Sequence, residues 1–114
     1  MPKPEIGLSM LFCLGEPFSS LIKHVNEADV HQVEILDEGL HALNSRRVEA
    51  LKKVAKSHGF ELTLHAPFVD VNIASPSQVL RRAILRRLEK SIIYAHQLGC
   101  RLWIFHPGLK TGVS

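Results

Sequence analysis

Four short apolar runs, opening near residues 5, 32, 60 and 101 and separated by stretches with helical spacing, set the strongest limit on what this chain can fold into. Strand and helix in strict alternation is the rhythm of parallel βαβ units, and it argues against an all-β sandwich or a helical bundle. Glu5–Phe12 (EIGLSMLF) reads as the first strand and stops at the Gly15-Glu16-Pro17 breaker. Phe18, Leu21, Ile22, Val25 and Ala28 then recur at the spacing of one apolar helical face, with Pro17 tolerated in the first turn. Gln32–Leu36 (QVEIL) is the second strand, closed by Asp37, Glu38 and Gly39. The helix after it has Asn44 or Ser45 as its cap, Val48, Leu51, Val54 and Ala55 on its apolar face, and Gly59 placed to end it in a left-handed turn.

Phe60–His65 (FELTLH) is the third strand and runs into Ala66-Pro67. Beyond the loop FVDVNIA, Ser75-Pro76-Ser77-Gln78 has the form of a capping box with Ser75 at the N-cap. It opens a long helix with Leu80, Ile84, Leu88, Ile92, Ala95 and Leu98 as its apolar stripe and Gly99 as its stop. Arg101–His106 (RLWIFH) is the fourth strand, again ending in histidine followed by proline. An open flavodoxin-like sheet shares this rhythm. Histidines at the C-terminal ends of two successive strands favour a barrel, where those ends converge on the face that carries chemistry. The fold expected is therefore α/β, a partial (β/α)8 TIM barrel of about four parallel strands with intervening helices, residues 1–114 forming one domain. A complete barrel takes about 250 residues, so roughly half of one is expected in these 114.

Composition narrows the class further. A chain 46% hydrophobic and 22% charged is an ordinary globular domain, with no apolar run of the roughly 18 residues that a membrane span needs. The start, Met1-Pro2-Lys3-Pro4-Glu5, has no signal-peptide core, so a cytoplasmic location is expected. Cys13 and Cys100 are expected to be free thiols. The net charge of +3 would suit a nucleic-acid partner, but Arg81, Arg82, Arg86, Arg87 and Lys90 cluster in one helix opposite its apolar stripe. A solvated helix face is the simpler account.

His65, in Leu64-His65-Ala66-Pro67, and His106, in Phe105-His106-Pro107-Gly108, hold equivalent places at neighbouring strand ends. Strands about 4.8 Å apart allow two such imidazoles to share one metal ion. Glu34 and Asp37, near the end of the second strand, are candidates to bind substrate or orient an imidazole, or simply to be solvated or cap a loop. Asn72 could bind a ligand or organise its own loop. His24, His31, His41, His58 and His96 fall on helices and connections and are expected to be surface residues; Met10, Trp103 and Phe105 are expected in the core.

HAPF followed by VNIASP, a long helix ending LGC, and a strand ending FHPG together resemble the N-terminal half of the xylose isomerase-like superfamily, which includes sugar phosphate isomerases/epimerases and endonuclease IV. The resemblance runs from the first strand to the end of the chain. It implies a divalent metal, zinc or manganese, with His65 and His106 as two of its ligands. The family's other ligands, carboxylates and histidines of later strands, have no counterpart in these residues, so the resemblance implies an incomplete active site whose metal could be absent. For the full-length parent it implies either a sugar or sugar-phosphate isomerase/epimerase acting on a small sugar, or an apurinic/apyrimidinic endonuclease acting on abasic DNA. A third possibility is a non-catalytic half barrel whose open edges make it a homo-oligomer. No membrane partner is expected.

Overall fold

The computed structural model describes residues 4–109. Four parallel strands, β1 (Gly7–Ser9), β2 (Gln32–Leu36), β3 (Glu61–His65) and β4 (Trp103–Ile104), lie side by side in sequence order. Helices α1 (Phe18–Glu27), α2 (Ser45–His58) and α3 (Gln78–Gln97) make the three crossovers. This is the expected α/β architecture of a partial TIM barrel.

One sheet face is the core. Val33, Ile35, Leu62 and Leu64 alternate outward from β2 and β3 and are buried with Leu21 and Val25 of α1, Val48, Leu51 and Ala55 of α2, and Tyr94 and Ala95 of α3. Each large aliphatic side chain buried in this way contributes about 1.5–3 kcal/mol. The opposite face, which a closed barrel would enclose, carries Gln32, Glu34, Thr63, Leu102 and Ile104, with Glu34 beside Thr63 and His65 beside Ile104 in register. Leu102 is 61% exposed and Phe105, expected in the core, is 46% exposed on the same open edge.

The middle of the chain follows its sequence closely. Asn44 Oδ1 accepts from Arg47 N–H at 2.9 Å to cap α2, and Gly59 ends it at φ 72°, the left-handed geometry that glycine adopts without steric cost. Four expectations need correction. The first strand is three residues long, because Ser9 Oγ accepts from Leu11 N–H and turns Met10–Cys13 into a 3-10 helix that buries Met10 and Cys13. The cap of α3 is Ser77, whose Oγ accepts from Leu80 N–H; Ser75 instead accepts from Ser77 N–H one turn earlier. The fourth strand pairs over Trp103–Ile104 only, extended by the Leu64 N–H to Leu102 O and Ala66 N–H to Ile104 O bonds. The buried face of α3 is Leu88, Ser91, Tyr94 and Ala95, while Leu80 and Ile92 are exposed. Ser91 enters the core because its Oγ accepts from the Trp103 indole N–H at 3.1 Å.

Two residues expected to be solvated on the surface find inward partners. Arg87 turns inward from the basic run to the fully buried Asp37. His41 is fully buried, its Nε2–H donating to the Glu16 carbonyl at 2.8 Å and its Nδ1 left without a partner. Both cysteines are free, and burial pushes the Cys100 thiol up to about 11. No helix among the described residues is long and apolar enough to cross a membrane.

Candidate metal centre at the strand ends

β3 and β4 end side by side, and His65, the last residue of β3, meets His106, two residues beyond the end of β4. His65 Nε2 and His106 Nε2 are 3.2 Å apart, with the rings edge to face at 88°. His65 Nδ1 lies 2.7 Å from the Ala66 carbonyl, which can only accept, so Nδ1 donates and Nε2 faces His106. This is the arrangement of a metal-ligating histidine, whose second nitrogen donates to a carbonyl and fixes the tautomer. Two nitrogens 3.2 Å apart and about 2.1 Å from a shared ion subtend about 100° at it, an angle that a tetrahedral site accommodates. The pair therefore fits a divalent ion as two of its ligands.

The surroundings hold the two rings in place. Phe68 stands edge-on to His65 at 5.1 Å and tilted against His106 at 5.6 Å, walling one side of the pair. Phe68 is itself fixed by Glu38, whose Oε2 accepts from the backbone N–H groups of Phe68 at 2.7 Å and Val69 at 3.1 Å. Phe68 closes the HAPF motif, but the role of Glu38 does not stand out in the sequence, since a carboxylate that caps a loop thirty residues away leaves no local signature. Next to His106 a cleft of about 580 Å3 opens between the two strand-end loops, lined by Phe68, Asn72, Pro107 and Gly108 among others.

Asn72 ties these loops together. Its Oδ1 accepts from Leu109 N–H at 3.0 Å and Ala74 N–H at 3.0 Å, and its Nδ2 donates to Leu109 O at 2.8 Å. Its polar atoms are thus engaged in organising the loops that flank the cleft. Gly108, at φ 85°, passes so close that a Cβ there would lie 2.6 Å from Asn72 Oδ1. Gly108→Ala is accordingly expected to unlock the two loops and cost about 1–2 kcal/mol. Urea denaturation checks this, and a stability equal to that of the parent chain would contradict the close approach.

The two acids of β2 have different surroundings. Glu34 is half-buried on the open face, one layer below His65, and accepts from Ser9 Oγ at 2.6 Å. Asp37 is filled by protein partners: Arg87 Nη1 donates to Oδ2 at 2.9 Å, Arg87 Nη2 to Oδ1 at 2.6 Å, and Leu43 N–H to Oδ1 at 2.8 Å. The hydrogen bond to Asp37 raises the guanidinium above its usual range. Asp37 N–H in turn donates to His65 O at 2.9 Å, so the ion pair braces the strand end that carries His65.

The comparisons with known proteins bear on the fold that carries this geometry. The model of the xylose isomerase-like TIM barrel matches residues 22–114. The chain belongs to that family. An uncharacterized protein of Methanocaldococcus jannaschii is 29% identical over 104 residues, which are 91% of this chain and 36% of that protein. Among solved structures, a D-tagatose 3-epimerase-like protein superposes with a TM-score of 0.83 at 28% identity, over 92% of this chain and 38% of its own. The D-psicose 3-epimerase of Clostridium cellulolyticum H10 shares the fold, with a TM-score of 0.65 at 18% identity over 90% of this chain and 37% of its own. The chain thus spans little more than a third of the relatives that it matches. Its strands are a xylose isomerase-like barrel in part.

Proposed function

We propose that this chain supplies the first strand-helix units of a metal-dependent sugar or sugar-phosphate isomerase/epimerase, with His65 and His106 as two ligands of a divalent ion, zinc or manganese. The observation that carries the proposal is the 3.2 Å approach of the two Nε2 atoms, together with the Ala66 carbonyl that keeps the proton on the far nitrogen of His65. A divalent ion would supply Lewis-acid polarisation of a sugar carbonyl and its neighbouring hydroxyl. The protein's part is positional. The Ala66 carbonyl sets the tautomer, Phe68 keeps water from one side of the pair, and the loops joined by Asn72 shape the cleft where a small sugar would sit. Two imidazoles are half a coordination sphere at most, and barrel strands outside these residues would supply the other ligands and the groups that move the proton.

The similarity to a D-tagatose 3-epimerase-like protein supports a sugar substrate. The position of the basic side chains supports it too, because Arg81, Arg82, Arg86 and Lys90 lie on α3, an outer crossover helix, and none of them lines the cleft beside His106. The test begins with metal. After loading with zinc or manganese, tag-free protein is expected by elemental analysis to carry about one ion per chain more than a His65→Ala, His106→Ala variant. Equal metal content in the two would overturn the assignment. Metal-loaded protein offered ketoses and an abasic-site duplex then separates the branches, and cleavage of the duplex alone would move the chain to the apurinic/apyrimidinic endonucleases.

The open edge motivates a second expectation. Leu102, Ile104 and Phe105 are exposed along β4, and β1 and β4 each have one side unpaired within the sheet of the described residues. We infer that the 114-residue chain self-associates through these edges. Sedimentation velocity at micromolar concentration should show dimers or larger species, and a monodisperse monomer would reject the inference.

A further inference from the structure

Away from the histidine pair, a second cluster gathers at the C-terminal end of β1. Cys13 closes the 3-10 helix, Glu16 follows in the turn, and His24 faces back from α1; one ligand atom from each lies within 4.8 Å of both others. His24 Nε2 and Glu16 Oε1 are 3.3 Å apart. The turn itself is fixed, since Glu16 N–H donates to Cys13 O at 2.9 Å and His41 Nε2–H holds the Glu16 carbonyl. Phe12 stands edge-on to the His24 ring at 5.0 Å and shelters one side. Sulfur, imidazole nitrogen and carboxylate oxygen are the three donor types that zinc takes, at about 2.3, 2.1 and 2.0–2.2 Å.

We propose that Cys13, Glu16 and His24 form a second metal site, selective for zinc-like ions of borderline softness, that staples the first strand-end loop to α1. Ligands around a tetrahedral ion stand about 3.3–3.7 Å apart, so the cluster needs to contract by at most about 1.5 Å. The motion falls on Glu16 and His24, whose side chains are 47% and 32% exposed and free to turn, while the buried sulfur stays in place. On binding, the Cys13 S–H bond breaks, its proton leaves to solvent, and the thiolate gives an electron pair to the ion; no oxidation change is involved. A thiolate ligand also separates this site from the histidine pair, which has none. Hard oxygen-seeking ions such as magnesium should be refused.

The test uses the whole chain carrying His65→Ala and His106→Ala, so that the strand-end pair is silent. Titration with cobalt(II) is expected to produce thiolate-to-cobalt charge-transfer absorption in the near ultraviolet and a tetrahedral d–d band, saturating at one ion per chain. Cys13→Ser should abolish the charge-transfer band and Cys100→Ser should leave it unchanged. If Cys13→Ser fails to fold, His24→Ala and Glu16→Gln, at partly exposed positions, provide the same reading: each should weaken cobalt binding at least tenfold while far-ultraviolet circular dichroism stays native. Excess zinc should remove the cobalt spectrum and magnesium should not. Absence of the charge-transfer band, its survival in Cys13→Ser, or unchanged affinity in both His24→Ala and Glu16→Gln would overturn the site.

Discussion

Exchange of Arg87 for methionine is expected to lower the free energy of unfolding by about 3 kcal/mol, the lower end of what breaking a buried ion pair costs. The loss arises at Asp37, which is fully buried and would lose two of its side-chain donors. Leu43 N–H alone would remain on Oδ1. The lower end of the range applies because the Arg87 side chain is 34% exposed, so water can enter and solvate part of the vacated carboxylate. With a urea m-value of about 1–3 kcal/mol/M, the midpoint should fall by about 1–3 M. Arg82→Met, on the same helix and exposed, serves as the control and should shift it by no more than a few tenths. Adding Asp37→Asn should recover most of the loss, since the amide oxygen can still accept from Leu43 N–H with no charge left to pair. A single variant as stable as the control would show that the ion pair contributes nothing to the fold.

Glu38→Ala should act on the site more than on the fold. The carboxylate accepts from Phe68 N–H and Val69 N–H, and those two residues begin the loop that walls the histidine pair. Their removal frees Phe68 to move away from both imidazoles, while the core beneath, Leu62 and Leu64, stays packed. Metal affinity is expected to fall about 10–100-fold, the usual effect of losing a group that orients a ligand from behind. Glu38→Gln, which still offers one acceptor oxygen, should lie between the two. Isothermal titration with zinc in a His24→Ala background reads the affinity of the histidine pair, and thermal melting of the metal-free proteins shows whether the fold has moved. Equal zinc affinity in Glu38→Ala and the parent chain would leave Phe68 with no part in holding the pair.

How much could be read from the sequence depended on how local each cause was. β2 was legible to the residue and α2 to within one residue at its start, where Asn44 rather than Ser45 proves to be the cap, because their signals are contiguous: an apolar run bounded by Asp37, a polar cap, and a glycine in the left-handed region. The histidine pair was legible for a related reason, since each ring ends an apolar run; the register sets His65 beside Ile104, and His106, two residues further on, reaches back to it. Arg87 and His41 were misplaced because hydropathy assigns polar side chains outward, while both find inward partners distant in sequence, Asp37 and the Glu16 carbonyl. Ser9 ended the first strand early by accepting from Leu11, a choice between strand and turn that an apolar run does not reveal. Glu38 lay unseen for the same reason as Arg87: its hydrogen bonds span about thirty residues.

Strand order equal to sequence order has a consequence for how the molecule is made. Each strand pairs with the one synthesised just before it, so no strand must wait for a distant partner or be threaded between two already in place. The sheet can grow at a single advancing edge as the polypeptide leaves the ribosome, each helix sealing the outer surface of the pair that it connects. Parallel sheets are slow to form when their partners lie far apart along the chain, and nearest-neighbour addition keeps every loop closure to one crossover. Vectorial synthesis and spatial order then run in the same direction, and each new strand finds its partner in the strand made just before it.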